Sequence, residues 1–180
     1  MRLHAQVKDR IADISKITIR TQEAAIRIID KKGRLNNFAD RDHCIQYIVA
    51  VPLIFGRLTA DDYEEAVAAD PRIDELRKKM TCIEDPNFSR DYYDPEKRSI
   101  ANSLTIEFED GSSLDEVVVE YPIGHRLRRS EAIPFLEDKF SVNLARLFPM
   151  GRQQSIIALC LDQKKLASTP VNEFVDMFVV

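Results

Sequence analysis

The sequence has few cysteines, and none of them stand close together. The three are Cys44, Cys82 and Cys160, whereas structural zinc and iron–sulfur sites usually draw on close pairs such as C-x-x-C. A glycine-rich phosphate loop, a Ser–His–Asp signature and a two-histidine metal motif are also absent. The sequence therefore predicts reduced, mostly buried thiols, with no metal and no cofactor held by this chain alone.

Long apolar runs and blocks of one charge are lacking as well. The 26 Lys and Arg against 30 Asp and Glu give a net charge of −4, spread along the chain, which argues against nucleic acid as a partner. The longest apolar run, Tyr47–Phe55, is far shorter than the ~20 residues that a membrane-spanning helix needs. The N-terminus shows no apolar signal region, so we expect a cytoplasmic protein and no membrane partner.

Apolar residues are nevertheless numerous enough to form a core. Hydrophobic residues make up 44% of the 180 positions, which fits one globular domain or one domain with an appended piece. The β-branched segment Ile14–Thr21 alternates apolar and polar residues and predicts a half-buried strand. The segment Asp40–Gly56 predicts one buried helix, capped by Asp40, bent at Pro52 and ended by Gly56.

The remaining patterns predict further helices and one hairpin. Thr59 and Pro71 occupy positions typical of helix starts, and the helix after Pro71 is expected to cover Arg72–Met80. The segment Asp85–Lys97 is typical of a loop. Alternating apolar residues on both sides of Asp110-Gly111 predict an antiparallel hairpin.

This order of elements indicates the α+β class rather than repeated βαβ units. We expect a small antiparallel-sheet domain with helices at residues 1–129. A helical segment at residues 130–180 is expected to follow, because apolar residues there recur at helical spacing.

Polar residues concentrate where the predicted helix at Asp40–Gly56 begins. On helical spacing His43 and Tyr47 share one face with Ala50 and Ile54, and Arg41 stands beside them. A helix N-terminus with these cations could hold a carboxylate. The alternative is a capped helix whose His43 is a hydrogen-bonded interior residue.

A second concentration of cationic side chains lies at residues 121–129. His125 and Arg126 follow a glycine there and precede two further arginines. Arginine forks match carboxylates in geometry, so this loop could clamp a small polyanion. The alternative is a solvated basic turn before the next helix.

Five stretches of the sequence, in the right order, resemble the MmgE/PrpD family and within it the branch that dehydrates 2-methylcitrate. The stretches are 26–33 (IRIIDKKG), 39–47 (ADRDHCIQY), 94–98 (DPEKR), 118–125 (VVEYPIGH) and 170–173 (PVNE).

The resemblance implies a fold and an activity. The chain is expected to correspond to the C-terminal part of the family, with most of a small α+β lid and then helices that return to an all-helical domain. The implied enzyme is a hydro-lyase that converts 2-methylcitrate into 2-methyl-cis-aconitate in the methylcitrate cycle of propionate catabolism, without an iron–sulfur cluster. A homodimer is expected.

The resemblance also implies a division of roles. The family's acid and base residues are expected to lie ahead of this segment and at the opening of the lid, so no catalytic residue is assigned here and the isolated chain is expected to be inactive. Substrate-binding residues are predicted from the two cationic clusters: Arg41, His43, Tyr47, His125 and Arg126. Two alternatives stay open, namely a non-catalytic binding or assembly module and a family isomerase or decarboxylase acting on a related polycarboxylate.

Overall fold

The computed structural model describes residues 2–180, and the chain divides into two compact units. The first unit is Met1–Pro122 and the second is Ile123–Val180. The first unit contains the β-sheet, and the second consists of helices and their connections. The sequence suggests a domain boundary between residues 129 and 130, and this boundary stays a prediction. Within residues 2–180, no helix is both long enough and apolar enough to span a bilayer.

The first unit is built on a four-stranded sheet. Its strands are β1 (Ile14–Thr21), β2 (Met80–Glu84), β3 (Asn102–Phe108) and β4 (Val117–Val119), in the order β2-β1-β3-β4. The β1–β3 and β3–β4 pairs are antiparallel, as predicted, but β1 and β2 are parallel. The α+β class is therefore confirmed, while the expectation of a purely antiparallel sheet is wrong.

Strand β2 was not predicted, because its apolar and polar residues show no clear alternation. Of its five residues only Met80 is buried, so the strand shows no clear alternation and Met80 instead extends the helical pattern that precedes it. By contrast β1 was predicted with the observed bounds. Its β-branched side chains alternate in burial, with Ile14, Ile17 and Ile19 inside the core.

Helices cover the rest of the first unit. Their bounds are α1 (His4–Val7), α2 (Glu23–Ile29), α3 (Phe38–Asp42), α4 (Ile45–Phe55), α5 (Glu65–Ala68), α6 (Pro71–Lys78) and α7 (Pro86–Tyr93), with a 3₁₀ helix at Ala60–Tyr63. Helix α4 packs on α1 and α6. Its buried side chains join those of β1 in one hydrophobic core.

The predicted helix Asp40–Gly56 is wrong in one respect, because the chain forms two helices there. Helix α3 ends at Asp42 with His43 as its C-cap, and Cys44, the N-cap of α4, has an extended backbone (φ −125°, ψ 108°). The cap of α3 is the Asn37 side chain, which accepts from the Asp40 N–H. The predicted end is confirmed: Gly56 adopts φ 72°, and a Cβ there would lie 2.7 Å from the His4 ring.

The predicted loop Asp85–Lys97 is also wrong, since it contains α7. Asp85 caps this helix by accepting from the N–H groups of Asn87 (2.8 Å) and Phe88 (3.3 Å), and Pro86 occupies the first helical turn. Asp85 and Pro86 form a typical helix start, which a second proline, Pro95, and several charges obscured.

Other predicted starts and turns are confirmed. Thr59 forms a capping box with Asp62, although the helix it opens is of the 3₁₀ type. Pro71 opens α6, which ends two residues before the predicted Met80. The hairpin turns at Gly111, whose φ of 81° suits glycine.

The second unit is mainly helical, as predicted, and its last helix ends at Asp176. It contains a 3₁₀ helix at Arg126–Arg128 and the helices α8 (Arg129–Ala145), α9 (Met150–Leu161), α10 (Gln163–Ser168) and α11 (Val171–Asp176). Its small core consists of Leu144, Phe148 and Ile156 with partly buried neighbours.

Candidate functional site

Arg41 lies on α3 with its side chain almost fully buried. One terminal nitrogen, Nη1, donates to the Tyr63 carbonyl at 2.7 Å, and the other, Nη2, pairs with the Glu65 carboxylate. These bonds tie α3 to the 3₁₀ helix and to α5. Arg41 therefore supports the local structure in addition to any contact that it makes with a ligand.

Tyr47 lies on α4 and is buried in the same region. Its hydroxyl donates to the Asp62 carbonyl at 2.6 Å, and its ring stacks on Tyr63 with 5.9 Å between ring centroids. Burial raises the pKa of Tyr47 to about 12, and the Arg41 charge opposes that rise only in part. The hydroxyl is therefore a neutral hydrogen-bond donor at pH 7.

His43 is exposed, with 61% of its side-chain surface accessible. Its Nδ1 lies 2.5 Å from an Asp42 carboxylate oxygen, and it ends α3 rather than belonging to α4. The predicted shared face with Tyr47 is therefore wrong, because the two residues stand on either side of a helix break. The alternative of an interior histidine is also wrong.

The structure brings Arg41 and Tyr47 together on the wall of one cavity of about 420 Å³. His43 is not among its lining residues. Other charged side chains also line this cavity, some positive and some negative. The sequence analysis did not identify them: Arg34, Glu65, Asp70, Asp74, Glu75 and Lys78. Carboxylates on this wall would repel an anionic ligand, so such a ligand would depend on the cations for its binding.

His125 and Arg126 belong to the second unit, apart from the first cluster in the chain. His125 is buried and caps the 3₁₀ helix, its Nδ1 accepting from the Leu127 N–H at 3.2 Å. Arg126 is exposed, and Arg128 pairs with Glu131 at 2.7 Å. A common site for both clusters stays a prediction.

Cys44 and Cys82 contact a polar cluster of Gln46 and Asp30 that the sequence analysis did not identify. The Cys44 thiol donates to Gln46 Oε1 (3.2 Å), and Gln46 Nε2 donates to the Asp30 carboxylate and to Cys82 Sγ (3.4 Å). Burial and the nearby Asp30 charge raise the pKa of Cys82 to about 12. Cys82 is thus a protonated thiol at neutral pH, which is unsuited to nucleophilic attack.

The predicted free thiols are confirmed, since Cys44, Cys82 and Cys160 form no disulfide. Cys44 is buried and the other two are partly buried. Among residues 2–180, His, Cys, Asp and Glu side chains form no group of three or more that could hold a metal ion.

Comparison with known proteins connects this arrangement to a family. The model of the MmgE/PrpD C-terminal domain matches residues 1–163. The chain belongs to the MmgE/PrpD family. The 2-methylcitrate dehydratase of Escherichia coli (strain K12) is 64% identical over 169 residues, which cover 94% of this chain and 35% of that protein.

Other relatives in this family carry the same kind of name. The 2-methylcitrate dehydratase of Cupriavidus necator is also 64% identical over 94% of the chain. The mitochondrial 2-methylcitrate dehydratase of Yarrowia lipolytica is 53% identical over 182 residues, which cover 99% of the chain and 35% of that protein. The chain thus spans about a third of the length of the curated relatives it matches.

Proposed function

We propose that this chain is the C-terminal part of a 2-methylcitrate dehydratase, a hydro-lyase that removes water from 2-methylcitrate to give 2-methyl-cis-aconitate. The observation that carries the proposal is the 64% identity to a 2-methylcitrate dehydratase over 94% of the chain. Both cationic clusters lie inside the matched family region. The proposed pathway is propionate breakdown by the methylcitrate cycle.

The reaction defines what a site must supply. Elimination of water needs a base for the carbon-bound proton, an acid for the leaving hydroxyl, and cations that hold the carboxylates. We assign the acid and base to the part of the enzyme outside this chain. Cys82 and Cys160 offer no base here, because the pKa of Cys82 is raised to about 12 and burial also raises the pKa of Cys160.

The residues of this chain are proposed to bind and orient the substrate. Arg41 and Tyr47 share the wall of one cavity, and the neutral Tyr47 hydroxyl can donate to a carboxylate once it exchanges its Asp62 partner. His43 is exposed beside that segment. Arg126, which is exposed on the second unit, is proposed as a carboxylate clamp with His125.

The first unit is proposed to act as a lid over the site. Closure of a small domain over a substrate excludes water and completes the set of binding groups. The helices of the second unit are proposed to return to an all-helical domain of the enzyme. Their exposed apolar side chains support this proposal, because such side chains usually mark a surface that another element covers.

The remaining properties of the enzyme are proposed from the resemblance and the sequence. We propose a cytoplasmic homodimer that works without an iron–sulfur cluster and does not bind nucleic acid. The Yarrowia lipolytica relative is named as mitochondrial, so the compartment is proposed for this protein alone and is tested by fractionation of the source cells.

The decisive experiment supplies the full-length enzyme with 2-methylcitrate and follows the products by proton NMR. The proposal predicts that the methyl doublet of 2-methylcitrate is replaced by a methyl singlet, because the new double bond carries no proton, and that no carbon dioxide is evolved. A product of unchanged composition would favour the isomerase alternative, and carbon dioxide would favour the decarboxylase alternative. Binding without any turnover would favour the non-catalytic module.

The substrate-binding role of the second cluster is tested in the same enzyme by Arg126→Ala. We expect KM to rise about tenfold while kcat changes little, because a carboxylate clamp acts equally in the ground and transition states. Lys164→Ala, at another exposed cation of the second unit, is the matched control. An unchanged KM would favour the alternative, in which residues 121–129 form a solvated basic turn.

A further inference from the structure

A second cavity of the first unit, of about 440 Å³, is lined mainly by cationic side chains. We call it the basic pocket. Its lining residues are Lys31, Lys32, Gly33, Arg34, Gln46, Asp74, Arg77 and Lys78. Five of the eight are cations, in a protein whose net charge is −4. The basic pocket is therefore rich in positive charge, although the chain as a whole carries a net negative charge.

The cations come from separate segments that the fold brings together. Lys31 to Arg34 follow α2, whereas Arg77 and Lys78 lie in the last turn of α6. The segments are fixed to each other, because Arg77 Nη2 donates to the Gly33 carbonyl at 3.0 Å. Gly33 itself has φ 82°, which shapes the turn that carries Arg34.

Three of these cations are already paired. Lys31 lies 3.3 Å from Asp40, Lys32 lies 2.7 Å from Asp30, and Arg77 lies 2.5 Å from Asp74. These pairs neutralise most of their charge.

Arg34 and Lys78 retain the excess charge. Neither has an ion pair or a side-chain hydrogen bond within residues 2–180, and both are exposed at the pocket. The uncompensated charge of the basic pocket is therefore about two positive units, carried by two side chains that are free to reorient.

Arg77 provides a second and independent observation. Only 8% of its side-chain surface is accessible, yet its Nε–H has no acceptor among the described residues. A buried guanidinium donor without an acceptor is costly and calls for a partner. Arg77 lines the pocket, but its Nε is shielded from solvent, so a ligand in the pocket would reach this donor only after a shift of the side chain.

We propose that the basic pocket binds a small dianion that presents several oxygen acceptors, either a phosphate group or a dicarboxylate. Arg34 and Lys78 supply the charge that matches two negative units. The volume is within the range of small-molecule sites. Arg34 and Lys78 also line the cavity of Arg41 and Tyr47, so the basic pocket adjoins the proposed substrate site and shares these side chains with it. The proposal concerns binding by this chain alone, and its test does not use turnover of 2-methylcitrate.

The test titrates the 180-residue chain with inorganic phosphate and, separately, with succinate, at constant ionic strength set by chloride. Binding is measured by calorimetry and by amide NMR shifts at Gly33. We expect saturable binding of at least one dianion that shifts the Gly33 amide. A preference for phosphate would assign the site to phosphate groups, and a preference for succinate would assign it to dicarboxylates.

The variant that removes the uncompensated charge is Arg34→Gln combined with Lys78→Gln. Both side chains are exposed, so folding should be preserved, and we expect affinity to fall about tenfold or more. The control, Lys8→Gln combined with Lys139→Gln, removes the same charge from exposed positions elsewhere and should bind within about twofold of the wild type.

Two results would overturn the proposal. The first is that neither dianion binds more tightly than chloride. The second is that the Arg34 and Lys78 double variant binds as tightly as the control. Both results would leave the dehydratase proposal intact, since that proposal is tested by turnover of 2-methylcitrate.

Discussion

Individual residues of the candidate site are held by bonds that also stabilise the fold. The Tyr47 hydroxyl donates to the Asp62 carbonyl, and the Asp62 carboxylate accepts from the N–H (2.7 Å) and hydroxyl (2.8 Å) of Thr59. Arg57 adds a donor at 3.1 Å. A fully buried carboxylate is tolerated here because its oxygens are satisfied by several donors.

Stability should depend on pH through Asp62. Burial acts to raise the pKa of Asp62, but the bonds from Thr59 and Arg57 outweigh burial and lower it below the ordinary aspartate value. A lowered pKa in the folded state stabilises the protein above the pKa of the unfolded chain. That stabilisation is lost as the pH falls through the folded-state pKa.

The variant Asp62→Asn tests this argument by urea unfolding. At pH 7 we expect it to lower the free energy of unfolding by about 1–3 kcal/mol, because bonds to a charged acceptor are lost. The difference from the wild type should shrink at acid pH, where Asp62 becomes protonated. Asp115→Asn, at an exposed position, is the control, and a difference that stays constant with pH would contradict the argument.

At the scale of elements, helix α7 depends on one residue that has two roles. Asp85 caps α7 and also pairs with Arg20 on β1. The hydrogen bond from Arg20 is the main cause that holds the pKa of Asp85 below its ordinary value. Arg20 in turn donates to Glu116 at 2.7 Å, so one chain of bonds links β1, α7 and the segment before β4.

Two substitutions separate these roles. Asp85→Ala removes both the cap and the ion pair, and we expect a loss of about 1–3 kcal/mol in the free energy of unfolding. Asp85→Asn keeps a capping oxygen and should cost less than half as much. Equal effects of the two substitutions in urea unfolding would show that the cap contributes little.

The elements show what a sequence can and cannot predict. Strand β1 was predictable because its alternation of Ile and polar residues records burial on one face. The break at His43 and Cys44 was not, since the apolar run that follows gave no sign that the chain becomes extended there. Strand β2 depends on pairing with β1 over a long sequence separation, and such pairing leaves little local signal.

The candidate site, too, was predictable from the sequence only in part. Cationic residues at 31–34 and 77–78 are ordinary surface residues in the sequence, and only the fold brings them into one pocket. Likewise Arg41 and Tyr47 were chosen from one segment, but their partners Tyr63 and Asp62 come from a separate helix start. Local patterns identify candidates, whereas tertiary contacts decide what each can do.

At the scale of the whole molecule, the second unit has a small core and much exposed apolar surface. Leu144, Phe148 and Ile156 are buried, while many other large apolar side chains are exposed. These exposed residues include Ile133, Phe135, Leu136, Val142, Leu147, Met150, Leu161, Val171 and Val175. Apolar area in water costs about 25 cal/mol per Å², so such a surface favours association.

The 180-residue chain should therefore self-associate at tens of micromolar through residues 130–180. We expect sedimentation velocity to show dimers or larger species, and Phe135→Glu combined with Leu147→Glu to reduce them. Gln6→Glu combined with Asn36→Glu, at exposed neutral positions of the first unit, is the control for the same added negative charge. A clean monomer that binds little hydrophobic dye would show that this surface is not a driving interface.

The central proposal is that this chain binds the substrate while the rest of the enzyme supplies the acid and base. The most direct test adds 2-methylcitrate to the isolated 180-residue chain and follows the absorbance of the unsaturated product. We expect no product above the uncatalysed background, while the full-length enzyme converts the substrate under the same conditions. Product formed by the isolated chain and abolished by His43→Ala would contradict it.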